Sequence, residues 1–566
     1  MVSDNIGFVL DYGFSQLDRN DIDYESYAGT GRGGTGAQDT LNFTFRENGQ
    51  YSIDGALDYT NPQNVLLTDP GGWGQVGFIK QPEIEDELQQ IRAETRYEFD
   101  GGLLADIRFG YLYTDRNKRF DSNESFLRQS AAFTNGSLAV PSTAIVGTTD
   151  SGNLGQNLLA YDPSGFLTDG TYVVEKANFD VQWRVEEEVH NFYVQANIDG
   201  MLGSIPVRGN IGLRYADTKQ GSTGTIGQGL VNRVRFSYDD WLPSANLSFE
   251  VAEDTYVRLA AARSITRARL DQMAANQSIG TNPTSCVDSD NDQFIDTLIA
   301  YSAPDNVCFS VGGGNTFLQP YASTSFDVSF EKYFSAGTAI IVAGFHKELS
   351  DWVVDGSELT DISQQIRNSG NGQFLEANPE VAIGFRGGPT NFAEGSITGV
   401  EGTVRLDFGD LSNALEGFGG FASITYADAS ITDEVNGSTK IPGYSELTWS
   451  ADLFYEKNGF RAKLAARYRD AFLSEVQNFD GSLSGADALD ETILDAQIGY
   501  TFQNESGPLK GLGLLFEVFN LTNEPFSTEN DLFDGNGFEP SNVIGTFPSR
   551  HELYGRTFNF TIRKNF

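Results

Sequence analysis

The sequence predicts an all-β chain folded as a transmembrane antiparallel β-barrel, with long loops at one end and short turns at the other. Three observations carry that prediction. Apolar and polar residues alternate at a period of two in segment after segment. The connections between those segments alternate between short and long. No apolar run approaches the ~18 residues that a membrane-crossing helix needs, whereas a barrel strand hides from hydropathy because only alternate residues are apolar.

In chain order the alternating runs fall at 6–14, 38–47, 51–59, 87–99, 102–114, 188–199, 205–217, 231–250 and 253–264. The second half adds 321–334, 337–352, 396–409, 416–430, 443–456, 459–474, 489–503, 510–522 and 554–566, about eighteen strands of a probable 22 in all. In the second run Leu41, Phe43 and Phe45 alternate with Asn42, Thr44 and Arg46. Later, Val207, Gly209, Ile211, Leu213 and Tyr215 alternate with Arg208, Asn210 and Arg214. Leu494, Ala496, Ile498, Tyr500 and Phe502 face away from Asp495, Gln497 and Thr501. In the last strand Phe558, Phe560, Ile562 and Phe566 share one face, interrupted only by Lys564. A soluble sandwich alternates too, so the polarity of the wet face matters. Phe460, Ala462, Leu464, Ala466 and Tyr468 alternate with Arg461, Lys463, Ala465, Arg467 and Arg469. A slip of one residue there turns four basic side chains into lipid, at roughly 2–4 kcal/mol each near the midplane.

Short turns are expected at Glu47-Asn-Gly49, Asp100-Gly-Gly102, Ala252-Glu-Asp254, Ser335-Ala-Gly337 and Lys457-Asn-Gly459. Long loops are expected at 15–37, 60–86, 115–187, 265–320, 353–395 and 523–553. No composition shift or Pro/Ser-rich linker divides the chain, so residues 1–566 read as one architecture. The formal charge of −40 argues against a nucleic-acid partner, which requires a basic face, and fits an acidic solvated surface. Residues 1–10 lack the basic start and apolar core of a signal peptide, so the expectation is that an exported chain begins upstream of residue 1.

Several stretches, taken together and in order, resemble the barrel of a TonB-dependent receptor of the proteobacterial branch linked to saccharide uptake. They are Tyr238-Asp-Asp-Trp-Leu-Pro-Ser-Ala-Asn-Leu247, Asp254-Thr-Tyr-Val-Arg-Leu-Ala-Ala-Ala-Arg263 and Gly314-Asn-Thr-Phe-Leu-Gln-Pro320 leading into Phe326-Asp-Val-Ser-Phe-Glu331. Gly399-Val-Glu401, Phe519-Asn-Leu-Thr-Asn-Glu-Pro525 and Gly555-Arg556 complete the likeness, which covers essentially the whole chain. The resemblance implies a Gram-negative outer-membrane receptor that takes up a large solute, an oligosaccharide first and a ferric siderophore second. It implies three partners: outer-membrane lipid, the TonB complex reached through an N-terminal region, and a small-molecule or oligosaccharide ligand. Such receptors carry an N-terminal plug, a TonB box and twenty-two strands, so the plug and about four strands are expected to be missing from this chain. Phe560, Ile562 and the terminal Phe566 resemble the signal by which such barrels are handed to their assembly machinery.

Candidate site residues fall mainly in the long loops. Cys286 and Cys308 are the only cysteines; a disulfide between them closes a 21-residue gap in the 265–320 loop, for roughly 3 kcal/mol in the entropic account. Between them Asp288, Asp290, Asp292 and Asp296 could converge on a structural calcium ion, although the glycine and late glutamate of an EF-hand are absent. No other cofactor is required. Arg461, Arg467 and Arg469 are expected to face the lumen and guide solute, and Trp73, Tyr301, Phe309 and Trp352 (with Phe78) are expected as exposed rings for stacking on ligand. Gly29, Gly31 and Gly34 fit a dinucleotide fingerprint, but Leu41–Arg46 after them reads as a strand rather than a helix. His190, His346 and His551 stand apart, and no nucleophile elbow, zinc spacing or P-loop occurs, so enzymatic chemistry is not expected. The rival readings are a passive porin-like channel closed by this chain alone and a secreted, sheet-rich sugar-processing enzyme.

Overall fold

The computed structural model describes residues 5–33, 36, 38–45, 51–151, 155–177, 181–226, 230–292, 294–299, 301, 306–433, 437–477, 483–504, 506–531 and 546–564. Its dominant element is one 19-stranded sheet. Three of those strands are short pieces at the loop end (Gln277–Thr281, Phe309–Gly313 and Gly437–Lys440); the other sixteen form the wall. The wall strands are β1 (Ile6–Asn20), β2 (Glu83–Glu98), β3 (Leu104–Asp121), β4 (Gln182–Leu202), β5 (Ile205–Ile226) and β6 (Leu230–Ala252). Then come β7 (Thr255–Thr266), β8 (Tyr321–Tyr333), β9 (Ala339–Asp361), β10 (Ile383–Asp407) and β11 (Phe418–Asp433). The last five are β12 (Leu447–Lys457), β13 (Phe460–Arg469), β14 (Glu491–Thr501), β15 (Leu512–Phe519) and β16 (Thr557–Lys564). Each pairs antiparallel with the next, from β1 against β2 to β15 against β16.

The two faces of the wall sort as the alternation requires. Phe8, Thr95, Phe109, Val194, Leu213 and Pro243 occupy one register row across β1–β6. On the far side Phe418, Tyr455, Ala462, Ile498, Phe516 and Phe560 do the same across β11–β16. Phe109, Phe326, Val328, Phe330, Ile498 and Phe560 are all exposed. Apolar rings laid bare in a continuous belt are unstable in water and suit hydrocarbon. The opposite face is charged but paired. Arg258 makes a two-pronged contact with Glu331 at 2.7 and 3.2 Å. Asp106 takes Arg108 at 2.9 Å and Asn197 at 2.6 Å, and Tyr193 donates to Glu94 at 2.6 Å across β4 and β2. Gly110 makes room for that tyrosine, since a Cβ there would fall 2.0 Å from the ring.

Turn chemistry closes the short end. Asn458 (φ 54°) and Gly459 (φ 83°) join β12 to β13, the double positive φ of the two-residue hairpin turn whose twist matches paired strands. At the other end the wall rises far above any bilayer. β4 has 21 residues and β10 has 25, against about 9–11 for one tilted crossing.

Two expected wall strands are not in the wall, which corrects the count from eighteen to sixteen. Leu41–Phe45 and Tyr51–Gly55 pair with one another as a hairpin inside the first long loop. At five residues each they are too short to span. The turn expected at Glu47-Asn-Gly49 lies outside the described residues.

The long loops fold into small cores of their own. Leu67, Val76, Ile79, Leu127, Val140 and Phe166 tie the first long loop to the second. Cys286, Phe309 and Val311 pack on Ile362, Ile366, Leu375 and Val381, joining the 267–320 loop to the 362–382 loop. A third cluster sets Ala268, Leu270, Met273 and Ala274 against Trp183 and Val185 of β4, so the segment after β7 turns into the wall's inner side.

Candidate solute-binding site at the mouth of the barrel

The wall's inner face changes character above the level of the belt. Between Leu349 and Trp352 the β9–β10 register shifts, and Asp351 takes a φ of 59°. This bulge breaks the alternation. Leu349 opposes Gly395 and Trp352 opposes Ala393, so both side chains fall on one face. They join Ala429, Ile431 and Ile441 in an apolar cluster at the loop end, and Trp352 also meets Tyr321 at 5.2 Å.

A cavity of about 490 Å³ opens beside that cluster, lined by Trp352, Val354, Asp355, Phe472, Arg269 and Gln272 among others. Arg469 sits 3.6 Å above the Phe472 ring and donates to Ser445 Oγ at 2.9 Å and to the Gly443 carbonyl. Two rings, the Arg269 guanidinium, an amide and a carboxylate at one mouth can hold a solute with flat apolar faces and hydrogen-bonding edges. A second cavity of about 440 Å³ lies along β13–β16, lined by Arg467, Glu491, Asp495, Arg550, Glu552 and Tyr554 among others.

Of the residues expected from sequence, the structure brings Trp352 to this cavity, while Arg469 stacks on Phe472, one of its lining rings. Arg467 faces the second cavity and is paired with Asp495 at 2.7 Å. Its neighbour Lys463 is paired with Asp452 at 2.8 Å, so the basic column of β13 is largely neutralised by acids on β12 and β14 rather than standing as a free guide. Arg461 lies near the short-turn end opposite Gly499, whose Cβ would come within 2.9 Å of the arginine Nε. Trp73 is exposed and meets Tyr27 edge-on at 5.5 Å, far along the chain from the cavity residues. Burial pushes the Tyr27 hydroxyl up to about 12, with Glu25 accepting its hydrogen bond at 2.9 Å.

Two expected stacking rings are inside the loops instead. Phe309 is fully buried beside the Cys286–Cys308 bond, and Phe78 packs against Phe126 at 5.5 Å. Both serve loop cores, because the loops pack on one another. Tyr301 also works between loops, donating from its hydroxyl to the Glu380 carbonyl at 2.7 Å.

Cys286 and Cys308 are bonded, with Cα atoms 5.5 Å apart. Carboxylate oxygens of Asp288, Asp290 and Asp296 lie within 4.8 Å of one another. Asp292 is not in that group. It accepts from the backbone of Phe294 at 2.9 Å, closing a local turn. Ser289, donating from side chain and backbone, holds the Asp296 carboxyl below the usual carboxylate range. Phe560 and Ile562 project from the belt face of β16, while Phe566 lies outside the described residues.

The residues that sequence reasoning missed are Phe472, Arg269 and Gln272. Phe472 falls inside the predicted run 459–474, and Arg269 and Gln272 fall in the predicted 265–320 loop, with no local pattern to mark them as site residues.

No curated protein matches the chain. Solved structures with a similar fold include the siderophore receptor PiuA from Acinetobacter baumannii, 11% identical with a TM-score of 0.51, covering 99% of this chain and 62% of that one. The ferric-catecholate import receptor Fiu from E. coli K12 gives 12% identity and a TM-score of 0.47, with 93% and 59% covered. The ferric yersiniabactin uptake receptor FyuA from Yersinia pestis gives 10% and 0.46, with 83% and 54% covered. The chain thus spans less than two thirds of the length of each of these receptors. Residues 11–521 match the family described as TonB dependent receptor-like, beta-barrel. With that match running through most of the wall, the chain belongs to the TonB-dependent receptor-like β-barrel family, whose members reside in the outer membrane of Gram-negative bacteria.

Proposed function

We propose that the chain forms the wall and extracellular mouth of a receptor that takes up a solute too large for passive pores, driven through TonB. The observation that carries this reading is the mouth itself. Strands of up to 25 residues lift folded, disulfide-bonded loops above the membrane and enclose an aromatic and guanidinium-lined cavity on the wall's inner side. A passive channel needs no such built vestibule. Solute binding and translocation, not catalysis, is the chemistry these residues can perform. A plug that gates the pore and a contact with TonB are part of the proposal.

A ferric siderophore is the first solute class to test, because PiuA, which shares the fold, is described as a siderophore receptor. An oligosaccharide is the second, favoured by Trp352 and Phe472 facing one cavity, where flat rings suit sugar faces. Both are settled by one experiment: uptake of radiolabelled ferric siderophores and of labelled maltodextrins by cells expressing the receptor, with and without TonB. Uptake that vanishes without TonB is the expected result, and uptake that is equal in both strains would overturn the energised reading. A calcium ion held by Asp288, Asp290 and Asp296 is proposed as a stabiliser of the extracellular loop, separate from solute recognition.

A further inference from the structure

The turn Asp69-Pro-Gly-Gly-Trp-Gly74 in the second long loop pins an exposed indole from two sides. Asp69 is buried, and its two carboxylate oxygens accept from the backbone N–H of Trp73 at 2.9 Å and of Gly74 at 2.6 Å. From the other side Arg128 donates to the Gly74 carbonyl at 2.6 Å, and its Nε and Nη2 make a two-pronged contact with Glu175 at 2.9 and 3.0 Å. Gly72 (φ 73°) and Gly74 (φ 84°) take left-handed values that glycine adopts without steric cost. The indole lies across Gly71, where a Cβ would fall 2.3, 2.4 and 2.7 Å from three of its ring atoms. Tyr27 meets it edge-on at 5.5 Å, yet the Trp73 residue stays 64% exposed.

The lipid belt does not account for this ring. Twelve residues of β1 separate Phe8 in the belt from Asn20, roughly 40 Å of strand at about 3.3 Å per residue. The loop strands Asp23–Ser26 and Gly77–Lys80 that carry the turn begin only beyond that point. The indole therefore faces water. Beside it runs a hydrogen-bonding edge: Gln75 Nε2 donates to the Tyr27 hydroxyl at 3.3 Å, and that hydroxyl donates to Glu25 at 2.9 Å.

We propose that Trp73, with Tyr27, Gln75 and Glu25 along its edge, is a surface site that holds one pyranose ring of a neutral oligosaccharide. None of the four lines the mouth cavity, so the site goes beyond the uptake reading and holds whichever solute crosses the wall. The face of an indole carries negative charge density, which suits the C–H face of a pyranose. Sugar hydroxyls supply donors to the Glu25 carboxylate and the Gln75 amide oxygen. An anionic ferric chelate brings further acceptors to that same edge and gains nothing there. Fixing the ring in advance removes the cost of ordering it from the binding step.

The test is fluorine NMR of the full-length receptor in detergent, labelled with 5-fluorotryptophan. The chain has five tryptophans, and Trp73→Phe identifies the resonance from Trp73. Maltohexaose, cellohexaose, mannohexaose and a ferric tris-catecholate complex are titrated in turn. At least one hexasaccharide shifts the Trp73 resonance saturably, and the chelate leaves it in place. Gly71→Ala, whose Cβ displaces the ring, raises the midpoint of that titration at least about threefold. A heat-modifiability gel checks that the variants keep their folded barrel. Three results overturn the site: a Trp73 resonance that no hexasaccharide moves, one that the chelate moves as readily as the sugars, or a folded Gly71→Ala variant that titrates as wild type. The titration needs no TonB, so uptake that proves independent of TonB removes the uptake reading and leaves this site standing.

Discussion

Replacing Phe309 by alanine should loosen one extracellular loop module and leave the wall intact. The ring is fully buried among Cys286, Cys308, Val311, Ile362 and Leu375, edge-on to Phe374 at 6.3 Å. A phenylalanine buries roughly 200 Å², about 5 kcal/mol at ~25 cal/mol per Å², and buried Phe→Ala changes cost about 3–5 kcal/mol. Taking the lower figure, with about 1.4 kcal/mol per factor of ten, local opening becomes roughly 150-fold more frequent. The Cys286–Cys308 bond keeps the module tethered, so the opening stays local. Hydrogen exchange reads it directly. The amide of Asn282 donates to the Cys308 carbonyl at 2.8 Å and that of Cys286 to Asn282 at 2.8 Å, and both report on this core. They should exchange about a hundredfold faster in Phe309→Ala, while wall amides such as that of Val328 keep their protection. Unchanged exchange at Asn282 would refute the reasoning, and so would a loss spread evenly over the wall.

Three further outcomes follow from the same module. Reducing the Cys286–Cys308 bond, or Cys308→Ser, should raise protease nicking between residues 267 and 320 by a factor corresponding to about 3 kcal/mol. Its effect should not add fully to Phe309→Ala, because both act on one core. Calcium at about 10⁻³ M should protect the loop from the same protease, and Asp288→Asn with Asp290→Asn should abolish that protection; nicking indifferent to calcium in the wild type would remove the ion from the account. The pH response has a fixed sign. Ser289 holds Asp296 and Ser363 holds Asp361 below the ordinary carboxylate range, so their contribution is complete above the unfolded value near pH 4 and is lost as pH falls through the lower folded value. Loop protection, read as exchange rates divided by the intrinsic amide rate at each pH, should therefore be constant above about pH 5 and fall only in acid, and a loss of protection on going alkaline would contradict the assignment.

The wall was legible because lipid punishes a wrong register. Along Phe460–Arg469 the apolar and basic sets fall on opposite faces as the alternation required, with Leu464 exposed on the belt and Lys463 and Arg467 inside. The hairpin Leu41–Gly55 shows the limit of that signal. Leu41, Phe43 and Phe45 alternate as any wall strand does, and only length separates a loop hairpin from a crossing. The loop interior was harder still. Phe309 reads as an exposed ring until Ile362, Ile366, Leu375 and Val381 arrive from another loop to cover it, and such pairings leave no local pattern. Trp352 was found, but its direction was not. The bulge at Ser350-Asp351 decides it, and a single aspartate at positive φ has no sequence mark. The partners of the basic column, Asp452 and Asp495, sit on neighbouring strands, so charge balance there is a property of register and not of any one segment.

These outcomes share one physical cause. A lipid-facing wall puts its apolar side chains outside and must satisfy its polar ones within, so cross-strand ion pairs recur along its inner face. Asp86 with Arg116, Asp106 with Arg96, Glu331 with Arg258 and Asp495 with Arg467 all follow this rule. A solute entering past Trp352 and Phe472 meets stacking surfaces at the mouth. Removing the Trp352 ring should accordingly weaken capture of every solute that stacks there, measured as a lower apparent affinity in uptake.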